Sequence, residues 1–427
     1  MKSYQIDDLT ITLNKEGARE FSKVSFPIRY GLFSEIRTPD YLFQFNLNGE
    51  IKYIQGRGST WPHPEEWLKR TVANDWVYYS AGDYRGVYDL MGEFYLPCLP
   101  YPSNALVDNH PFEKNDVQSA IHSWRSLQEK IRALCRRDWP QGLKDFLCHA
   151  AEKGEEFLEQ RSRRMHRLIG GEVTVLPPDT RHVDYEVISV IVADGCLYNC
   201  GFCRVKSGKG FYLRPFENIN EQIKSLKEFY AWDLLNYNAI FLGQHDALHG
   251  GREILEFTAQ KAYETFEFKN SYLKGPRIFL FGSIDSFISA DDRLFQSLSD
   301  LPFYTYINIG LESADLSTLA ALKKPVAVEK VYEAFIKMME VNKRYETIEV
   351  TANFVYGDEL PENHLSSFLE LIQKKTAPLS KKGTLYLSPL IAGQDRGKDN
   401  RRELLRRFYK VKAQSPLPTY LYLIQRL

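Results

Sequence analysis

Between residues 185 and 389, six short runs of β-branched and aromatic residues alternate with amphipathic stretches, and this alternation restricts the fold more than any other feature of the chain. The runs are YEVISVIVA (185–193), NAIFLG (238–243), RIFLFG (277–282), TYINIGLE (305–312), IEVTANFVYG (348–357) and TLYLSP (384–389). Most are apolar throughout, as strands covered on both faces must be. Between them, segments such as INEQIKSLKEFYAW, REILEFTAQKAYETF and VEKVYEAFIKMMEVNK repeat apolar residues three and four apart, the spacing of a helix with one buried face. Strand, helix and strand in that order return by right-handed crossovers and build a parallel sheet, which makes this an α/β chain.

The first 180 residues read differently. YLFQFNLNGEIKYIQG holds two strand-like runs joined at Asn48-Gly49, where both turn positions tolerate positive φ, so a β-rich start with a hairpin is expected. A long helical stretch follows through SWRSLQEKIRALCRRDWPQGLKDFLCHAAEKGEEFLEQRSRRMHRL, and Gly170-Gly171 with Pro177-Pro178 mark a boundary. Residues 1–180 are therefore expected to form a mixed α+β N-terminal accessory domain, 181–400 the parallel unit, and 401–427 a C-terminal helical or extended extension.

Lysine plus arginine (55) equals aspartate plus glutamate (55), so no net charge points to nucleic acid or a membrane surface. The sequence has neither a secretory pattern at MKSYQIDDLT nor an apolar run long enough to span a bilayer, and a cytoplasmic location is expected. In a reducing compartment six cysteines do not suggest a disulfide framework. Cys98, Cys135 and Cys148 are scattered and read as small buried hydrophobes.

The other three cysteines stand in GCLYNCGFCRVKSG (195–208), directly after the first strand of the parallel unit, where such folds place their chemistry. Cys196, Cys200 and Cys203 within eight positions suit a metal centre. A structural zinc would need a fourth protein ligand, which His245 or Cys148 would have to supply, whereas a cubane iron–sulfur cluster can take three thiolates and leave one iron open. Phe202 would shield such a cluster from solvent.

This spacing, with an aromatic residue before the third thiol and βα units after it, resembles the radical S-adenosylmethionine (SAM) superfamily, with no subfamily indicated. The resemblance covers about residues 180–400 and implies a partial (β/α)6 TIM-like barrel in which the three cysteines hold a [4Fe–4S] cluster. SAM would chelate the fourth iron and be reductively cleaved to methionine and a 5′-deoxyadenosyl radical, which abstracts hydrogen from a second substrate. It also implies an electron donor such as a flavodoxin or ferredoxin. GQHDAL (243–248) stands where the family has a Gly-Gly-Glu-like turn for the SAM amino group; it departs from that pattern and looks more like the GDGDAL-type turn of one branch. GLES (310–313) matches a recurrent family motif. Carried onto this chain, Gly243, Asp246, Ser283 and Glu312 are the expected SAM-binding residues, while the hydrogen donor is not identified. Alone, Glu312 would read as an N-cap or first-turn acid of the following helix. His245 reads as a loop histidine, Asp285 lies near Ser283, Asn353, Tyr356, Ser388 and Pro389 could face the cavity, and Lys323 and Lys324 read as surface residues capping a helix.

Arg204, Lys206 and Lys209 read as surface cations. The basic runs RSRRMHR (161–167) and RRELLRRFYK (401–410) lie beside acidic residues and read as solvated helix faces rather than an RNA surface. The substrate class expected is a small molecule or cofactor precursor, tetrapyrrole-like compounds included, with the N-terminal domain helping to cover the open barrel face. Nucleic-acid modification, and a non-catalytic iron–sulfur or zinc-stabilised binding protein, are the alternatives.

Overall fold

The computed structural model describes residues 1–21, 29–60, 66–80, 96–99, 101, 104, 111–203, 205, 210–375, 381–390 and 398–427. The chain opens with an eight-stranded antiparallel meander whose spatial order is its sequence order: β1 Lys2–Ile6, β2 Leu9–Glu16, β3 Leu32–Arg37, β4 Tyr41–Phe45, β5 Ile51–Gly56, β6 Glu66–Arg70, β7 Trp76–Ser80 and β8 Leu96–Cys98. The hairpin expected at Asn48-Gly49 is β4–β5. Only Gly49 of that pair takes positive φ (78°), because the Asn46 side-chain oxygen accepts from the backbone N–H of Asn48 and Glu50 and carries the turn.

Three helices follow: α1 Asn115–Cys135, α2 Gln141–Glu152 and α3 Glu155–Ile169. In α1, Val117, Ala120, Trp124, Leu127, Ile131 and Leu134 recur at helical spacing and are all buried. Trp124 lies against Phe43 and Phe45 of β4, with ring centroids 6.5 and 5.8 Å apart. In α3, Leu158 belongs to this N-terminal core, while Met165 and Ile169 belong to the core of the parallel unit, so one helix spans both. Cys135 and Cys148 are not separate thiols as the sequence suggested; they are bridged to each other and tie the end of α1 to α2. Their Cα atoms lie 5.0 Å apart, a separation that the hairpin of two helices sets and the linear sequence does not show.

The rest of the chain runs β9 Ile188–Ser189, β10 Ala193–Asp194, β11 Tyr212–Leu213, α4 Phe216–Tyr230, β12 Ala239–Phe241, α5 Gly251–Thr265, β13 Arg277–Gly282, α6 Ile284–Ser289, α7 Asp292–Asp300, β14 Tyr304–Glu312, α8 Leu316–Ala321, α9 Val328–Arg344, β15 Ile348–Tyr356, α10 His364–Lys375, β16 Leu385–Pro389, α11 Lys398–Gln414 and β17 Thr419–Leu421. Seven strands pair in parallel in the order β17-β16-β15-β14-β13-β12-β9, with all their C-terminal ends on one side. Five of the six expected runs are strands within a residue or two. The first begins late, because Asp184 and Tyr185 adopt positive φ (54° and 60°) and the chain becomes extended only beyond them. The seventh strand, β17, comes from the segment read as a C-terminal extension. Among the described residues no helix is long and apolar enough to cross a membrane.

Of residues 1–180, expected to help cover the cysteine-bearing face, Tyr101, Thr174 and Val175 reach that face and the antiparallel sheet does not. That sheet packs against the N-terminal ends of the parallel strands. Before β9, the Asp184 carboxylate accepts from the Tyr53 and Tyr79 hydroxyls (2.8 and 2.9 Å) and from Lys69 Nζ (2.8 Å). Before β12, the Asn236 side chain exchanges two hydrogen bonds with the Leu32 backbone. Before β13, the Tyr272 hydroxyl donates to Gly17 O and Lys274 N to Arg19 O, each at 2.8 Å.

Candidate active site

The segment carrying Cys196, Cys200 and Cys203 leaves β10 and returns through β11, which pairs with β10 in an antiparallel ribbon and closes the loop at its base. Arg214, next after β11, grips Asp194 with two parallel hydrogen bonds of 2.7 Å and donates a third to Ile169 O. Inside the loop, Gly201 N donates to Leu322 O (2.8 Å), and the Tyr198 hydroxyl donates to Asp285 (2.6 Å) while accepting from the Asp285 backbone N–H. Lys330 also bonds the Asp285 carboxylate. The loop is irregular yet tied at its base and at two points along its length. Arg204, Lys206 and Lys209 lie outside the described residues.

All three cysteines open into a cavity of about 660 Å³ at the C-terminal ends of the strands, a size in the usual range for small-molecule sites. None of the three is in a disulfide; Cys200 is buried and Cys196 exposed. Burial pushes the Cys200 thiol up, and the Lys324 ammonium opposes that rise. As the side chains stand, no three His, Cys, Asp or Glu among the described residues surround a single point closely enough to hold one metal ion.

Phe202, His245, Asp246, Ser283 and Glu312 line the same cavity, as do Asn353, Ser388 and Pro389. Gly243 does not line it. With φ at 95° it makes the turn that brings residues 244–246 to the mouth, and a Cβ there would sit 3.2 Å from Ile191. Asp246 is spent on structure: its carboxylate accepts from the backbone N–H of Ser283 (3.0 Å) and from the Ser286 hydroxyl. Ser283 in turn caps α6, accepting from Ser286 N. Both ring nitrogens of His245 are buried without a hydrogen-bond partner of good geometry, and burial holds the imidazole's pKa down. Tyr356 points away from the cavity and donates its hydroxyl to Leu404 O (2.8 Å). Along β15, Asn353 and Val355 face inward.

Glu312 is not the cap of the following helix; Asp315 fills that position, accepting from Thr318 N at 2.8 Å. At Glu312 the β14–β15 register shifts and φ is 65°, so its carboxylate turns into the cavity. Its partner is a residue the sequence reading placed on the surface. Lys323 ends α8 in the left-handed conformation (φ 51°), with Lys323 N bonded to Ala320 O and Lys324 N to Leu319 O, the backbone pattern of a Schellman stop. That stop turns Lys324 inward, where it is 8% exposed, 3.8 Å from Glu312 Oε1 and 5.2 Å from the centre of the Tyr198 ring. Burial pushes the Glu312 carboxyl up, and Lys324 opposes the rise. The signal available in the sequence was Pro325, which bars the helix from continuing through the second lysine.

Residues 190–372 match the family model described as the radical SAM superfamily. This segment is a radical SAM domain. No curated protein matches the chain. Among solved structures it is similar to a radical SAM methyltransferase from Sphaerobacter thermophilus (15% identity, TM-score 0.38, covering 55% of this chain and 65% of that one). It is also similar to Streptococcus suis SuiB (10% identity, TM-score 0.38, 84% of this chain and 71% of that one) and to methylornithine synthase, PylB (11%, 0.33, 69% and 82%). The chain thus spans just under two thirds of the methyltransferase.

Proposed function

We propose that this protein is a radical SAM enzyme that binds a [4Fe–4S] cluster through Cys196, Cys200 and Cys203, cleaves SAM, and abstracts hydrogen from a small-molecule or cofactor-precursor substrate inside a partial (β/α)6 TIM-like barrel. One observation carries the reading: three thiols from one anchored loop and the buried Glu312–Lys324 pair open into the same cavity, within the matched domain.

The donor set fits the cofactors. Three thiolates on one loop leave one iron of a cubane without a protein ligand. A zinc site loses its distant candidate, because Cys148 is bridged to Cys135 in the other core. SAM carries an ammonium and a carboxylate, and the cavity offers an acid and a base side by side. When bound, the cluster and SAM supply one-electron cleavage of a sulfonium carbon–sulfur bond and hydrogen abstraction. Glu312, acceptor-only when ionised, offers its oxygens to donors of the nucleoside or amino end. Lys324 offsets part of the cost of burying that carboxylate and presents its remaining N–H groups to a carboxylate. Asp246 fixes Ser283 at the end of the neighbouring strand β13, Gly243 supplies the turn that holds Asp246, and Phe202 excludes water beside the thiols. A flavodoxin or ferredoxin is the proposed electron source.

Anaerobic reconstitution with iron and sulfide tests this directly. The wild type should acquire the broad visible absorbance of an iron–sulfur cluster and, on reduction with SAM, release 5′-deoxyadenosine. Alanine at Cys196, Cys200 or Cys203 should abolish the absorbance, while Glu312→Gln should keep it and weaken SAM binding. A fully loaded cluster that never yields 5′-deoxyadenosine, or a single zinc with four side-chain donors, overturns the reading.

A further inference from the structure

The parallel sheet has two edge strands, β9 and β17, and among the described residues these do not pair with each other. A sheet curved but not closed leaves a flank between its edges, and a polymer could lie in that flank. Here a strap spans it. Residues 173–176 run antiparallel to residues 422–427, with Leu176 N donating to Gln425 O (2.8 Å), Leu427 N to Val173 O (3.3 Å), and the Tyr422 hydroxyl to Leu176 O. On the β12 side, Gln244 accepts from Thr174 N and Oγ1 (2.8 and 3.0 Å) and donates to Glu172 O (2.8 Å). From the N-terminal domain, Asn104 clasps Ile424 by donating to its carbonyl (2.9 Å) and accepting from its N–H (3.1 Å).

The strap is also cavity wall. Tyr101, Thr174, Val175, Tyr422 and Ile424 line the cavity, and they meet Val355 and Leu390 from the strands. This wall is apolar with neutral hydroxyl groups. Among the described lining residues the charged groups are Asp246, held by Ser283 and Ser286, and the Glu312–Lys324 pair, which the function proposed above assigns to SAM. A charged substrate placed against this wall would lose its hydration without gaining a partner among the wall's described residues, and these include no cation for the phosphates of a nucleic acid.

We infer that the second substrate is a small, uncharged molecule with an apolar body, seated against the strap, and that the strap bars polymeric substrates from the flank. This rests on the function proposed above.

The test uses the full-length apoprotein and two probes, Nile red, which is neutral, and 8-anilinonaphthalene-1-sulfonate, which is anionic. Nile red should bind with one saturable site, and Leu390→Trp and Ile424→Trp, each checked for native circular dichroism, should each weaken it by about tenfold or more. The anionic probe should compete for that site at least about tenfold less well. Hydrogen exchange should show the Leu176 and Ile424 amides protected in the wild type and faster in Asn104→Ala. Equal or tighter competition by the anion, Nile red binding indifferent to both tryptophans, or unprotected Leu176 and Ile424 amides would overturn the inference. Because none of these readouts needs a cluster, they separate from failure of the radical SAM reading, which would show instead as a missing iron–sulfur absorbance.

Discussion

Lys324 and Glu312 form a buried pair whose members depend on each other. Removing one partner of such a pair leaves the other charged and unsolvated, which costs roughly 3–5 kcal/mol, whereas removing both costs much less. Lys324→Met should therefore lower stability by about 3 kcal/mol, and Lys324→Met combined with Glu312→Gln should recover most of that, as read by denaturant unfolding of the apoprotein. SAM affinity should fall in both. A surface lysine, as the sequence reading had it, would show no such recovery. The glutamate was legible because GLES is a motif. The lysine was missed because its burial depends on a left-handed residue, Lys323, and side-chain identity alone does not announce that conformation.

At the scale of elements, the short helical turn Pro178–Val183 plugs the floor of the parallel unit. Its Asp179 is fully buried and accepts from the Thr351 hydroxyl (2.9 Å) on β15 and the Tyr386 hydroxyl (2.7 Å) on β16. Burial raises its carboxyl to about 6 despite those two donors. The stability that Asp179 contributes is then fully present below its unfolded value near 3.8 and is lost as pH rises toward about 6. Relative to Asp179→Asn, wild-type apoprotein should therefore lose about 2 kcal/mol between pH 4 and pH 6 and up to about 3 kcal/mol by pH 8, measured by urea titration at each pH. A flat difference would show the carboxyl to be unshifted. The cysteine loop makes a second prediction. A Cβ on Gly201 would sit 3.1 Å from Leu322 O and 3.2 Å from Lys323 Cβ, so Gly201→Val should push the loop off the end of α8. Cluster loading should fall severalfold with the fold intact by circular dichroism. The strands and helices themselves were legible, since five apolar runs became β12 to β16 with little change. Their inward register was not, because period-two alternation is lost in strands buried on both faces, and Asn353 and Tyr356 were separated only by the structure.

For the whole molecule, the join between the two sheets is ionic and buried. Lys69 is 3% exposed and lies 2.8 Å from Asp184 and 3.4 Å from Glu186, and Arg161, from a run that reads as solvated, pairs instead with buried Glu50 at 2.6 Å. The other basic run behaves as read, with exposed Arg406 and Arg407 held by half-buried Glu403. Lys69→Met should cost about 3–5 kcal/mol, and calorimetry should then resolve separate melting of residues 1–169 and the remainder. A single unshifted transition would contradict the buried join. Charge composition could not foresee it, since equal numbers of acids and bases say nothing about which of them meet. The placement of the antiparallel sheet also bears on assembly. During synthesis the N-terminal residues leave the ribosome first, so a settled platform stands ready when the parallel strands emerge, and each can be laid down from its starting end against a fixed template.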